Sequence, residues 1–163
     1  EIGTGDWSSD VCSSDLIIQF NLHYLMRILE MTARGIRNHN PGNIRLGTKW
    51  RGLVDKQTDP SFCVFKSNTY GCRALLKLLR TYVIRYKCNT ITKIISRWAP
   101  NHENNTSAYI LYVANKVNKG TTEPLSFNKA LYIKIAKAIA YQENGTDAKI
   151  ISEQVWEDAY ALI

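Results

Sequence analysis

The sequence predicts a mainly α (α+β) domain, built from five helices and one small β-hairpin lobe. Three observations predict it. Apolar residues recur at helical spacing from residue 71 onward, β-type residues are confined to two short runs before that point, and cap or stop residues punctuate the helical stretches.

The elements follow in order. Residues 36–52 read as loop, with Asn40-Pro-Gly-Asn43 as a strong turn signal. Residues 50–54 and 62–65 have strand composition and are separated by the polar Asp55-Lys-Gln-Thr-Asp-Pro60, which fits a hairpin. Residues 71–87 form a helix with Leu75, Leu76, Leu79, Tyr82, Val83 and Tyr86 on one face. Residues 90–98 form a shorter helix stopped at Pro100. Residues 105–118 form the next, capped by Asn105 or Thr106 and closed by Gly120. The longest covers 126–143 and ends at Asn144-Gly145, and Asp147 is expected to cap a last helix bearing Ile150, Ile151, Val155, Trp156 and Ala159.

A chain of 163 residues suffices for one domain with a real core. Its net charge of +7 calls for an anionic partner such as nucleic acid, anionic lipid or bacterial wall. The charge is uneven. The first thirty residues hold five acids and one base, so 20 basic and nine acidic side chains remain beyond them, a net of +11. Residues 5–16, rich in Ser and Asp without periodicity, resemble the translation of a sequencing adapter. The expected organisation is therefore 1–16 non-native, 17–30 an upstream segment of doubtful nativeness, and 31–163 the functional domain starting at Met31. The apolar run in 16–30 is too short to span a membrane and has no cleavage-site pattern.

Beyond Cys12, the cysteines Cys63, Cys72 and Cys88 are odd in number and widely spaced, which predicts buried thiols and synthesis in a reducing cytoplasm. No paired ligand spacing suggests a metal, and no cofactor is expected.

Nine acids in 31–163 can be audited singly. Asp147 reads as a cap, and Glu153, Glu157 and Asp158 as a solvated helix face. Glu123 reads as loop, Asp55 and Asp59 as the hairpin connection, and Glu103 as part of the loop after Pro100. Glu143 stands apart. It falls in the last turn of the longest helix, where the carbonyl end disfavours a carboxylate and a helix built only for stability would carry Lys or Arg. Such a position suits a proton donor. Trp50, Trp98, Tyr70, Tyr109 and Tyr112 offer flat faces for sugar rings, and Asn38, Asn40, Asn43, Asn104 and Asn105 offer amides. Core packing for the aromatics and turns for the asparagines are the ordinary alternatives.

Arg34-Gly-Ile-Arg-Asn-His-Asn-Pro-Gly-Asn-Ile-Arg45, Trp50-Arg-Gly52, Asp59-Pro-Ser-Phe62, Ile94-Ile-Ser-Arg-Trp-Ala-Pro100 and Glu143-Asn-Gly145 together resemble a family of phage and prophage virion structural proteins. The Asn40–Arg45 stretch with its Trp-Arg-Gly follower is similar to the segment after the catalytic Glu in bacterial glucosaminidases. Residues 98–113 are similar to the later part of lytic transglycosylases, and Glu143-Asn-Gly145 resembles the end of the catalytic helix in lysozyme-like enzymes. In those enzymes the Glu comes first, so the resemblance implies a circularly permuted, lysozyme-like domain.

It further implies cleavage of the β-1,4 glycan of peptidoglycan, by a muramidase, glucosaminidase or lytic transglycosylase reaction. Glu143 would be the general acid and Tyr109 would stabilise charge. Asp59 would be the first choice of second carboxylate, ahead of Asp55 and Glu103. Asn40, Asn43, Trp50, Trp98, Asn105 and Thr106 would bind substrate. The expected partners are peptidoglycan and other virion proteins, with the chain monomeric, made in the host cytoplasm and acting in the virion or at the host wall or periplasm. A non-catalytic virion or wall-binding protein is the alternative. Nucleic-acid binding ranks third, since no reading module accompanies the charge.

Overall fold

A computed structural model of the chain describes residues 18, 21, 32–100 and 105–163. The segments 1–16 and 17–30, apart from Ile18 and Asn21, and Glu103 in its loop lie outside the described residues. Residues 33–163 form one compact unit, and it is mainly helical.

The unit begins with a single turn, α1 (Arg34–Arg37). The long α2 (Asn68–Tyr86) starts three residues before the apolar periodicity suggests and buries Cys72, Ala74, Leu75, Leu76 and Leu79. It ends at Lys87 in the left-handed conformation, where the Cys88 amide donates back to the Tyr82 carbonyl. Thr90 caps α3 (Ile91–Trp98) by accepting from the Lys93 amide, and the Ala99–Pro100 step ends it. Asn105 caps α4 (Thr106–Val117) through the Ala108 amide, and Asn118 closes it with φ 53°.

The central helix is α5 (Lys129–Asn144). Asn128 caps it, so Ser126 and Phe127 precede the helix rather than begin it. Its buried residues, Leu131, Tyr132, Ile133, Ile135, Ala136, Ala138, Ile139 and Ala140, leave little of its circumference to solvent. α4 packs on α5, α3 on α4, and α2 on both α5 and the last helix, α6 (Glu153–Ala161). Trp156 of α6 is fully buried beside the α2 leucines in the same core.

Two expectations change. Residues 145–150 form a 3-10 turn, and Ser152, not Asp147, caps α6. Asp147 instead accepts from the Ala33 amide at 2.7 Å, so it holds the start of α1. The hairpin lobe reduces to two isolated antiparallel bridges among the described residues, Arg45 with Phe62 and Leu53 with Phe65. Residues 61–66 run between 44–46 and 52–54, bonding each through one or two amides. Gly52, with φ 83° and Tyr70 packed beneath it, bends the chain before a regular ladder can extend. The Gln57 side chain then bonds the Val54 and Val64 backbone and substitutes for ladder contacts.

Candidate functional site

The sequence ends α5 at Gly145 (φ 60°), which fixes Glu143 in the final helical turn. Three donors meet its carboxylate there. The Tyr109 hydroxyl donates to Oε1 at 3.0 Å, the Trp98 Nε1–H to the same oxygen at 3.2 Å, and the Asn43 amide Nδ2 to Oε2 at 3.1 Å. Each donor arrives on a different element: Tyr109 from α4, Trp98 from the last turn of α3, Asn43 from the turn after α1. Asn43 is itself left-handed (φ 46°), a conformation asparagine tolerates better than most residues. Beside Glu143, Asn144 is buried and its Nδ2 donates to the Pro41 and Ala140 carbonyls, tying the end of α5 to the same turn.

Burial first, and then the negative charge of Glu143, push the Tyr109 phenol well above its ordinary range. That shift favours the neutral, hydrogen-bond-donating form of Tyr109. The described partners of the Glu143 carboxylate are thus three neutral donors.

Glu143 lies in the wall of a cleft of about 690 Å³, with Asn43, Ile44, Arg45, Phe62, Tyr82 and Trp98 among its other lining residues. Among the described residues that line it, Glu143 is the one carboxylate. A second concavity, of about 470 Å³, is bordered by Tyr112, Tyr141 and four lysines over an apolar floor. Among the described residues, no carboxylate lines it.

Asp59 sits elsewhere in the bonding scheme. Its two oxygens accept from Arg34 Nε and Nη2 at 2.7 Å each, from Asn38 at 2.7 Å, and from the Ser61 and Phe62 amides. The Arg34 hydrogen bond, helped by those amides and opposed by desolvation, holds its carboxyl well below the usual carboxylate range. Asp59 is absent from the cleft lining. It anchors the 59–62 turn to α1. Asp55 is solvent-exposed and pairs loosely with Lys66 at 3.7 Å.

Of the residues expected to bind substrate, Asn43 and Trp98 come to Glu143, and the others are engaged elsewhere. Asn40 is wholly buried and staples its own loop, donating to the Ile44 and Cys63 carbonyls and accepting from the Ile44 amide. The Thr106 hydroxyl, also buried, donates to the Ala99 carbonyl at 2.5 Å and pins α4 to the end of α3. Asn105 is the α4 cap, and Trp50 packs against the core with its Nε1–H unpartnered. Residues 40, 105, 106 and 50 are not among the cleft lining.

Sequence reasoning missed Arg45, Phe62 and Tyr82. Arg45 and Phe62 stand inside the recognised motifs and could have been read as wall residues. Tyr82, with Leu78 one turn before it, read as core because an aliphatic–aromatic stripe at helical spacing has the same pattern whether it is covered or lines a groove. The three thiols are buried, as expected: Cys63, Cys72 and Cys88 are free, and burial pushes Cys63 and Cys72 up.

No protein-family model matches the chain. Over 119 residues it is 40% identical to Protein P5 of Pseudoalteromonas phage PM2, a match covering 71% of this chain and 73% of that protein. At that identity and coverage, the chain belongs to the same phage protein family as Protein P5 of phage PM2.

Proposed function

We propose that this phage protein cleaves the β-1,4 glycan backbone of peptidoglycan, with Glu143 as the proton-transfer group of a circularly permuted lysozyme-like domain. The observation that carries the proposal is the carboxylate of Glu143 in the cleft wall, held by Tyr109, Trp98 and Asn43. Permutation is also supported by an adjacency. The 2.7 Å bond from the Ala33 amide to Asp147 sets the segment after α5 beside the start of α1, so the order Glu-Asn-Gly then Asn-Pro-Gly-Asn is continuous in space though reversed in the chain.

With Asp59 committed to Arg34 and one carboxylate in the described lining, a two-carboxylate hydrolysis has less support than the single-acid route. On that route the carboxylic acid form of Glu143 gives its proton to the leaving glycosidic oxygen as the C1–O4 bond breaks. The resulting carboxylate is held by Tyr109 and Trp98. It then takes the proton of the muramyl 6-hydroxyl as that oxygen closes on C1, which restores the acid and consumes no water. The product end is an internal 1,6-anhydro ring.

A zymogram on purified wall, comparing wild type with Glu143→Gln, tests the proposal. Clearing by the wild type with 1,6-anhydro ends in the fragments, and loss of at least a hundredfold in the variant at unchanged melting temperature, is the expected result. Equal clearing by both would sink it. One observation favours a second reading, a wall-binding virion protein without turnover: both Glu143 oxygens already have partners, as a structural carboxylate would. Its mark would be wall pelleting by both proteins with no fragment released.

A further inference from the structure

The cleft does not end at Glu143. Its Leu78–Tyr82 wall is shared with a second concavity of about 540 Å³, which adds Thr81, Tyr86, Arg97 and Pro100. Arg97 immediately precedes Trp98, the donor to Glu143, so the two sites are neighbours along the last turn of α3. The Arg97 guanidinium carbon lies 3.5 Å from the centre of the Tyr86 ring and 5.2 Å from that of Tyr82. The rings satisfy the face of the guanidinium. Its N–H edge has no carboxylate partner among the described residues, although Asp59, Asp55, Glu123, Glu153 and Glu157 all pair with other cations. The adjoining surface of α2 carries Lys77, Arg80 and Arg85 around Thr81, again without a described ion pair.

A flat, pre-oriented guanidinium with its edge unspent is a carboxylate receptor. A neutral glycan offers it hydroxyl and amide oxygens but no charged, two-pronged acceptor. Peptidoglycan does: each muramyl unit bears a lactyl branch, and that branch or the stem peptide on it carries carboxylates. We propose that Arg97, stacked on Tyr86 and Tyr82, binds a carboxylate on the muramyl branch and so selects wall glycan over neutral N-acetylglucosamine polymers. This rests on the glycan-cleaving reading of Glu143.

The test uses three substrates: peptide-bearing wall, wall stripped of peptide so that only the lactyl carboxylate remains, and neutral chitin oligosaccharides. Wild type, Arg97→Gln and Arg97→Lys are compared by kcat/KM, and Glu143→Gln with and without Arg97→Gln by binding. The wild type is expected to prefer carboxylate-bearing substrate at least tenfold. Whichever of the two acidic substrates it prefers identifies the source of the carboxylate. Arg97→Gln should bring the preference close to one, mainly through KM, and Arg97→Lys should restore part of it.

Equal losses on acidic and neutral substrates, or none on either, would overturn the proposal. So would binding to duplex DNA that Arg97→Gln weakens more than it weakens wall binding. If the wild type cleaves nothing yet binds acidic glycan through Arg97, the enzyme reading fails and this one stands. If it cleaves with no preference, the reverse holds.

Discussion

Tyr109 and Trp98 bring two donors to one oxygen of Glu143, while Arg34 and two backbone amides do comparable work for Asp59. The two carboxylates are nonetheless different in kind. Glu143 has neutral donors and an open cleft on one side; Asp59 has a permanent cation and a closed turn. Because the folded state holds Asp59 below the ordinary aspartate range of about 4, its contribution to stability is complete above that range and is lost as pH falls below it. Asp59→Asn should therefore melt lower than wild type at pH 7. The gap should narrow as pH is taken from about 5 to 3; melts followed by circular dichroism across that range check it. At this scale the sequence made Glu143 legible, because a carboxylate at a helix C-terminus is an electrostatic anomaly. Asn40 and Thr106 were not legible as structural. A polar loop residue that satisfies buried backbone and one that awaits a sugar have the same letter and the same neighbours.

The elements hold the site by close contact between α2 and the turn after α1. A Cβ at Gly71 would stand 1.8 Å from the His39 carbonyl oxygen and 3.0 Å from the Pro41 ring. Alanine in place of a mid-helix glycine ordinarily gains about 1 kcal/mol, but overpacking against backbone costs roughly 1–3 kcal/mol or more. The contact should win, so Gly71→Ala is expected to lower stability by about 2 kcal/mol, read as the midpoint shift in urea. Most helices were legible from periodicity, and Asn105 caps α4 as expected, whereas the side-chain caps Thr90 and Asn128 were not read from the sequence. Nor was the last cap: Asp147 was expected, but it accepts from the Ala33 amide, a partner 114 residues away, and Ser152 caps the helix instead. The hairpin was overread for a related reason: alternating β-type residues specify pairing partners only when a flat, regular path exists, and Gly52 removes it.

At the scale of the whole molecule, residues 33–163 form one compact unit with its own core. A chain beginning at Met31 is therefore expected to melt cooperatively within a few degrees of the full-length chain and, on the proposed function, to match it in wall clearing, as calorimetry and the zymogram would report. A marked drop in either would mean that residues before 31 belong to the working protein. The hydrogen bonds that build the site span most of the unit: Asn43 reaches Glu143 across 100 residues, Asn144 reaches Pro41 across 103, and Asp147 reaches Ala33 across 114. The cluster around Glu143 thus cannot form in any fragment that stops before the end of α5. During synthesis the Asn-Pro-Gly-Asn turn must wait, incomplete, until almost the whole unit has been translated. Prematurely terminated products lack the Glu143 cluster by construction of the fold, and it forms once, when the two ends of the unit close on each other.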